Sequence, residues 1–153
     1  MTRVPYAADG WGIGELWFDG PRLVWHELPR PRADEPGEGA AEPLAQRVRD
    51  FFAGRRVTFG DVAIDTDDWT PFQLDVAAAI RGVEYGDVVA YAELARLAGY
   101  PRAQRAVGTF CAGNRYPLVL PCHRVVASGG IGSFGSLGVD YKRRLLELEG
   151  VAL

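Results

Sequence analysis

Cys122, followed directly by His123 and Arg124, is the part of the sequence best suited to nucleophilic chemistry. No acidic residue occurs between Glu93 and Asp140, and cationic surroundings of this kind lower a thiol pKa and favour the thiolate. Because the thiolate is the attacking form, Cys122 is a candidate nucleophile. A buried structural cysteine fits the same residues. On an extended strand His123 would face away from Cys122, so a link between them needs a bend or a bridging water.

The charge distribution favours a nucleic-acid partner for the second half of the chain. The net charge is -3, but residues 1–68 hold 13 acidic and 8 basic side chains, whereas residues 69–153 hold 7 acidic and 9 basic. Phosphates respond to local potential more than to net charge. A solvated surface that lacks acids has the same composition, so both interpretations stay open. The acid-free window contains five arginines and one histidine: Arg96, Arg102, Arg105, Arg115, His123 and Arg124.

Length and composition limit the class of protein. A chain of 153 residues with 48% hydrophobic and 24% charged residues is one globular domain or two small lobes, neither disordered nor a coiled coil. No apolar run is long enough for a membrane helix, and the N-terminus lacks the apolar core of a signal peptide, so we expect a cytoplasmic protein without membrane contact. Two cysteines alone provide neither a disulfide framework nor a four-ligand zinc site.

The elements that position Cys122 fall into two groups. In the first, apolar alternation and an Asp19-Gly20-Pro21 turn predict a hairpin. The segments predicted here are a strand over 10–19, a strand from Leu23, a mobile acidic, proline-rich loop over 29–43, a helix over 44–52 and a strand over 56–65.

In the second group, Thr70, Pro71 and Gln73 form a capping-box signature that predicts a helix ending before Gly82. Helices are also predicted over 91–98, 103–112 and 141–150, and an extended run over 118–120 leads into Cys122. The two short helices over 91–112 suggest a helix-turn-helix.

The segment Pro121–Val126, PCHRVV, resembles the active-site motif of the O6-alkylguanine-DNA alkyltransferases, also called methylated-DNA–protein-cysteine methyltransferases. The resemblance runs from about Trp69 to Gly150, and residues 1–68 show no convincing match. Further motifs that follow the family in order are Thr70-Pro71-Phe72-Gln73, Tyr85-Gly86, Tyr91, Leu94-Ala95, Arg105-Ala106-Val107-Gly108, Gly113-Asn114, Leu145-Leu146 and Glu149-Gly150.

The resemblance implies a mixed α/β fold. A small ribonuclease-H-like α/β lobe over 1–68 would precede a mainly helical, winged-helix-like DNA-binding lobe over 69–153. It also implies a monomer that needs no cofactor. Its partner would be duplex DNA carrying O6-alkylguanine, which it flips out and dealkylates irreversibly onto Cys122 in a single turnover.

The resemblance also assigns roles near the nucleophile. Glu149 and His123 would form a water-linked relay that takes the proton from Cys122. Tyr91 would donate a hydrogen bond or proton to the guanine ring, and Asn114 would order the segment before Cys122. Without the family, Glu149 is equally a solvated helix-end acid, Tyr91 a core residue and Asn114 an ordinary helix cap.

The remaining assignments concern the substrate and the duplex. The glycine-rich loop Ser128–Gly138 would line the guanine pocket, with Ser136 near O6. It departs from the family by its shortness and by Phe134 in place of a tyrosine. Backbone groups at Cys122 and Val125 would accept from the guanine amino group. Arg105 would replace the flipped nucleotide in the stack. The helix that carries it would enter the minor groove, where Ala106 and Gly108 permit close approach. Arg102, Arg115 and Arg124 are candidates for phosphate contacts or for structural roles, and Arg124 could equally brace the site.

The sequence also bears on a zinc site, on the second cysteine and on other functions. The structural zinc of some relatives is absent, since the first lobe has no cysteine and only His26. Cys111 is expected to be a small buried thiol one helix away from the site. The alternatives are a lesion sensor that lacks the cysteine, a sequence-specific regulator and a thiol hydrolase. Cys122 argues against the sensor, and the small residues of the 103–112 helix argue against the regulator.

Overall fold

The computed structural model describes residues 1–32 and 42–153, which divide into two compact units. Unit 1 comprises Met1–Asp65 and Arg115–Pro117, and unit 2 comprises Thr66–Asn114 and Leu118–Leu153. The predicted division at residues 68 and 69 did not anticipate that 115–117 would pack with the first unit. Of the predicted 29–43 loop, residues 33–41 lie outside the described part of the chain.

Unit 1 is built on a three-stranded antiparallel sheet of β1 (Thr2–Ala8), β2 (Gly12–Asp19) and β3 (Arg22–Arg30), in that order. The hairpin between β2 and β3 turns at Gly20, whose φ of 59° suits the predicted tight turn. β1 was not predicted. Its Pro5 cannot donate to a ladder, but β1 is an edge strand, where this is tolerated.

One helix packs on this sheet. α1 (Pro43–Phe52) contacts β1 and buries Leu44, Ala45, Val48, Phe51 and Phe52, as its predicted apolar face requires. The predicted strand over 56–65 is wrong: among the described residues it makes one isolated bridge, between Ile64 and Leu23.

Hydrogen bonds with His26 hold Arg115–Pro117 in unit 1. Its backbone N–H donates to the Arg115 carbonyl at 2.9 Å, and its Nδ1 lies 2.8 Å from the Pro117 carbonyl oxygen. Its Nε2 lies 2.6 Å from the Tyr6 hydroxyl. Both ring nitrogens of this buried histidine are therefore satisfied by uncharged partners.

Unit 2 begins with α2 (Pro71–Arg81), whose capping box is confirmed, with reciprocal hydrogen bonds between Thr70 and Gln73. α3 (Tyr91–Leu97) and α4 (Gln104–Ala112) pack against each other as the predicted helix-turn-helix pair. α5 (Val139–Leu148) closes the unit. The predicted range, 141–150, begins and ends two residues beyond the observed helix. Glu149 is therefore the C-cap residue and not part of the last turn.

A short parallel pair connects distant parts of unit 2. β4 (Val89–Ala90) pairs with β5 (Val125–Val126), so Val89 lies beside Val125 and Ala90 beside Val126. The predicted extended run over 118–120 is not a strand, and Leu118 has a φ of 74°. Its apolar side chains are nevertheless buried, because they complete the core of this unit.

Candidate active site

The β4–β5 pair lies between the predicted tyrosine and the predicted nucleophile. Tyr91 follows β4 directly as the first residue of α3, and Cys122–Arg124 directly precedes β5. Because the two strands are parallel, these two segments adjoin opposite ends of the pair. Tyr91 and Cys122 nevertheless line the same recess.

Cys122 lies in a tight turn rather than on the extended strand considered from the sequence. Pro121 has φ -76° and ψ 65°, the geometry of an inverse γ-turn, and the Cys122 N–H donates to the Leu120 carbonyl at 2.7 Å. A 3-10 turn over Cys122–Arg124 follows. Since successive side chains of such a turn diverge by about 120°, Cys122 and His123 point in different directions.

Asn114 holds this turn in place. Its side-chain amide donates to the Leu120 carbonyl at 2.9 Å, the same oxygen that accepts from the Cys122 backbone. A carbonyl has two lone pairs, so both bonds can form together. Asn114 also bonds the Cys122 thiol, which lowers the thiol pKa. These contacts fix the backbone before Cys122, and the role predicted for Asn114 in the reaction stays a prediction.

The Cys122 side chain, only 3% exposed, forms part of a small recess. His123 and Ser136 are absent from its lining among the described residues, although Ser136 was predicted to lie beside the substrate. The lining consists of Tyr91, Gly108, Cys111, Ala112, Cys122, Ser133, Phe134 and Gly135.

The expectation that local cations lower the Cys122 pKa is wrong. A hydrogen bond with the Cys111 thiol and burial raise this pKa well above its usual value, and Lys142 and Asn114 oppose the rise only in part. The adjacent cation Arg124 does not compensate, since it pairs with a carboxylate instead of the thiol. The resting nucleophile is accordingly a protonated thiol.

Glu149 accepts hydrogen bonds from several polar groups around the Cys122 turn. Arg124 donates from Nε and Nη2 to its two oxygens, both at 3.0 Å, and the Gly86 N–H donates at 2.9 Å. Arg124 is 8% exposed and also donates to the Val83 carbonyl at 2.7 Å, so its predicted phosphate contact is wrong and its bracing role is supported. Burial raises the Glu149 pKa, but the bonds from His123 and Arg124 outweigh it and hold that pKa at about 2.

His123 completes the network, with Nε2 2.7 Å from Glu149 Oε2. Because an ionised carboxylate can only accept, Nε2 carries the proton in this bond. Burial lowers the His123 pKa despite the opposing effect of Glu149, so the ring is neutral at pH 7. Nδ1 then bears the lone pair, and the pair is a neutral base oriented by a carboxylate.

Lys142 is a functional candidate that the sequence reasoning missed. It is completely buried, and its ammonium donates to the Val125 carbonyl at 2.6 Å and to the Ser133 carbonyl at 3.1 Å. Burial lowers its pKa to about 8, while the nearby thiols of Cys111 and Cys122 favour its charged form. One signal was available: Lys142 is the sole lysine of a chain that otherwise uses arginine.

Tyr91 lines the recess with a protonated hydroxyl. Burial raises its pKa, its hydroxyl bonds the Ser133 side chain, and the Lys142 ammonium lies 5.6 Å from its ring centroid. The Gly132 backbone, at a φ of 80°, passes so close that an added Cβ would lie 3.2 Å from the Tyr91 hydroxyl oxygen.

The other predicted pocket residues occupy distinct places. Phe134 lines the recess and stacks on Tyr141 with ring centroids 6.3 Å apart. Val125 is buried in β5, where Lys142 already occupies one lone pair of its carbonyl. Ser136 is exposed in the 3-10 turn Gly135–Leu137, whereas Ser133 lies in the lining.

The predicted DNA-contacting residues are only partly together. Arg105 and Ala106 are exposed on α4, and Gly108 of the same helix lines the recess. Arg102 is exposed just before α4 at a φ of 81°. Arg115 belongs to unit 1, where its guanidinium lies 5.5 Å from the Tyr116 ring centroid.

Within residues 1–32 and 42–153, no group of three or more His, Cys, Asp or Glu side chains could hold a metal ion. No helix in the described part of the chain is long and apolar enough to cross a membrane.

Comparison with known proteins agrees with this geometry. Residues 71–151 match the family described as 6-O-methylguanine DNA methyltransferase, DNA binding domain. A methylated-DNA–protein-cysteine methyltransferase of Metallosphaera sedula is 40% identical over 107 residues, which are 70% of this chain and 66% of that protein. The protein of the same name from Methanopyrus kandleri is 38% identical over 75% of this chain and 91% of its own length.

A solved structure supports the same grouping. The crystal structure of Mycobacterium tuberculosis OGT in complex with DNA is similar with a TM-score of 0.79 and 30% identity, over 97% of this chain and 92% of that one. The predicted α/β class, with a small sheet lobe and a mainly helical lobe, is confirmed. The chain belongs to the 6-O-methylguanine DNA methyltransferase family.

Proposed function

We propose that this protein is a direct-reversal DNA repair enzyme. It removes the alkyl group from O6-alkylguanine, mainly O6-methylguanine, in duplex DNA and keeps that group on Cys122. The observation that carries the proposal is the position of Cys122 in a recess beside Tyr91, next to a buried His123–Glu149 pair. The names of its relatives, which specify methylated DNA and a protein cysteine, support the same reaction.

The transfer is a displacement at the alkyl carbon. The Cys122 sulfur forms a bond to that carbon as the bond from carbon to O6 breaks, and the electron pair leaves with guanine. The thiol proton passes through a bridging water to Nδ1 of His123, because the side chains of Cys122 and His123 diverge. The product thioether does not hydrolyse under mild conditions, so each chain reacts once.

The protonation states of the site fit this step. His123 is neutral and can accept a proton, and Glu149, with a pKa of about 2, remains charged to stabilise the imidazolium. Tyr91, whose pKa is raised, keeps its proton at pH 7 and donates it to the departing guanine. The raised Cys122 pKa keeps the thiol protonated until the relay acts, which limits reaction with other electrophiles.

α4 is the surface proposed to meet the duplex. Arg105 is exposed on it and would fill the gap that the flipped guanine leaves, since a planar guanidinium stacks on bases. Ala106 has a small side chain that permits close approach, and Gly108 links this helix to the recess. We assign phosphate contacts to Arg102 and Arg115, and we expect a monomer to act on each lesion without a cofactor.

The test is the mass of the intact protein after incubation with a duplex that contains one O6-methylguanine. We expect the added mass of one methylene group, located on Cys122 by peptide mapping and saturating at one equivalent. The same duplex with guanine should add nothing. The Cys122→Ala variant should bind the methylated duplex without gaining mass.

Other outcomes would replace the proposal. Tight binding of the methylated duplex by the unaltered protein, with no gain of mass, would make it a lesion sensor. Methyl transfer by Cys122→Ala would exclude Cys122 as the acceptor. Repeated hydrolysis of small esters would support a thiol hydrolase.

A further inference from the structure

Cys111 lies in the recess that holds the nucleophile, which the sequence did not lead us to expect. It is a partly buried residue near the end of α4, and it lines the recess together with Cys122. The Cys111 thiol raises the Cys122 pKa more than burial does, which agrees with this shared position. The proposed transfer mechanism gives no part to this second thiol.

We propose that Cys111 and Cys122 form an oxidation-sensitive dithiol, which a hydroperoxide converts reversibly to a disulfide. Both residues are free cysteines in this structure and line the same recess, so a rotamer change or a backbone adjustment can bring the two sulfurs within bonding distance. The disulfide itself does not depend on the function proposed above. Its consequence, a reversible block of alkyl transfer, rests on that function.

The different exposures of the two thiols set the order of events. Cys111 is the more exposed and meets the hydroperoxide first, whereas Cys122 is buried. With hydrogen peroxide, the Cys111 sulfur takes one oxygen as the O–O bond breaks, and the other oxygen leaves as water with the thiol proton. The product is a sulfenic acid on Cys111.

Cys122 then resolves this intermediate. Its sulfur attacks the Cys111 sulfur, the S–O bond breaks, and the hydroxyl leaves as water with the Cys122 proton. In total, two thiols and one hydrogen peroxide give one disulfide and two waters. The Lys142 ammonium interacts with both thiols and stabilises the negative charge that develops on sulfur.

The pairing would protect the nucleophile. A cysteine that oxidises alone proceeds to sulfinic and sulfonic acids, which thiol reductants do not reverse. Capture of the first oxidised sulfur by its neighbour stops this sequence at a reducible state. Cys122 would then be inactive during oxidative exposure and recover afterwards.

The full-length protein allows a direct test, because trypsin separates the two cysteines. Cleavage after Arg105, Arg115 and Arg124 leaves Cys111 in peptide 106–115 and Cys122 in peptide 116–124. After limited hydrogen peroxide and digestion without reductant, we expect these peptides to be linked, with a loss of two hydrogens from the intact mass. Dithiothreitol should restore both the mass and methyl transfer.

Cys111→Ser and Cys111→Ala are matched controls, each compared with its own untreated sample. Both should accumulate oxygen adducts on Cys122, and dithiothreitol should not restore their transfer. Oxygen adducts on separate, unlinked peptides in the unaltered protein would overturn the proposal, as would a link between two chains only. Equal recovery of Cys111→Ala and the unaltered protein would also overturn it.

The same experiment separates this proposal from the proposed function. If the linked peptides form but the untreated protein gains no methyl group, the dithiol stands and the transferase function fails. If the untreated protein transfers methyl but no linked peptide forms, the dithiol fails and the transferase function stands.

Discussion

The chain contains two histidines, one in each unit, and their surroundings differ in kind. His26 of unit 1 and His123 of unit 2 are 3% and 2% exposed, and burial lowers the pKa of both. His26 bonds a hydroxyl and a carbonyl, both uncharged. His123 bonds the carboxylate of Glu149, which stays ionised.

The comparison shows that partners, more than burial, decide what a buried histidine can do. A proton added to His26 meets no compensating charge, so protonation there only destabilises the fold. A proton added to His123 is stabilised by the Glu149 carboxylate, so this ring can hold a proton during a reaction. Unit 1 variants should therefore change stability, and unit 2 site variants should change chemistry.

The strongest test of this difference removes the charge beside His123. Glu149→Gln keeps the shape of the side chain but leaves the imidazolium without its counter-ion. We expect the methyl transfer rate to fall by about 100- to 10,000-fold, the range of general-base contributions. The measurement is the single-turnover rate with protein in excess over methylated duplex.

Glu147→Gln is the control, because Glu147 is exposed on the same helix. It should transfer at the unaltered rate. Since Glu149→Gln also leaves Arg124 less well paired, urea unfolding must first show that the variant is folded. A folded Glu149→Gln protein that transfers at the unaltered rate would remove the distinction between the two histidines.

A pH titration tests the other histidine. The folded pKa of His26 is about 4 and its unfolded value 6.5, so the unfolded state binds the proton first as pH falls. The stability that this group contributes is complete above pH 6.5 and is lost as pH falls toward 4. The loss is on the order of 3 kcal/mol in the free energy of unfolding.

Urea unfolding followed by tryptophan fluorescence measures this loss, because Trp11, Trp17 and Trp25 lie in unit 1 and only Trp69 in unit 2. His26→Gln should show less dependence on pH over this range, and its folded form should transfer methyl at close to the unaltered rate at pH 7. An identical pH dependence in both proteins, or a large loss of transfer in His26→Gln, would contradict the comparison.

A substitution at Gly132, whose backbone lies close to Tyr91, is expected to have a smaller effect on the transfer rate. In Gly132→Ala the new Cβ would lie 3.2 Å from the Tyr91 ring and 3.1 Å from the Ala127 nitrogen, at a φ of 80°. A displaced Tyr91 would donate poorly to guanine, and we expect transfer about tenfold slower, about 1.4 kcal/mol in the barrier.

Gly129→Ala is the matched variant in the same loop, since an added Cβ there meets nothing within 4 Å. It should transfer normally. If both variants slow transfer equally, the effect belongs to the loop and not to Tyr91.

The smallest predicted effect concerns Arg105 on α4, the helix proposed to meet the duplex. Arg105→Ala removes the proposed stacking group, so transfer from duplex should slow by roughly two- to fivefold, the range of an exposed cation–π contact. Transfer from the free base O6-methylguanine should not change. Arg96→Ala, an exposed arginine that pairs with Glu93, is the control and should affect neither substrate. Equal slowing of Arg105→Ala on both substrates would exclude the stacking role.

Local signals were sufficient to predict much of unit 2. The capping box at Thr70 and the helical spacing that follows it are properties of neighbouring residues, and they gave α2 with its observed ends. The PCHRVV motif identified Cys122 because residue order alone carries that resemblance. β1 was missed since Pro5 argues against a strand unless the strand is known to be an edge.

The electrostatics of the site could not be predicted from neighbouring residues. Arg124 follows Cys122 closely in sequence, yet its guanidinium bonds Glu149, which lies 25 residues further along. Cys111 lies on a different element from Cys122, but its thiol contributes most to raising the Cys122 pKa. The number of charged residues near Cys122 in the sequence therefore predicted a lowered Cys122 pKa, whereas the folded structure raises it. The reason is that the fold, and not the sequence distance, determines which groups contact the thiol.

The burial of Lys142 has a practical consequence for labelling. Amine-directed acylating reagents normally modify many surface lysines, but the only ε-amine of this sequence, that of Lys142, is fully enclosed. A pKa of about 8 makes the Lys142 amine inherently reactive, so enclosure alone prevents its acylation. Acylation of the lysine side chain should therefore be very slow while the protein is folded. The rate at which Lys142 becomes acylated would then report the rate at which unit 2 opens.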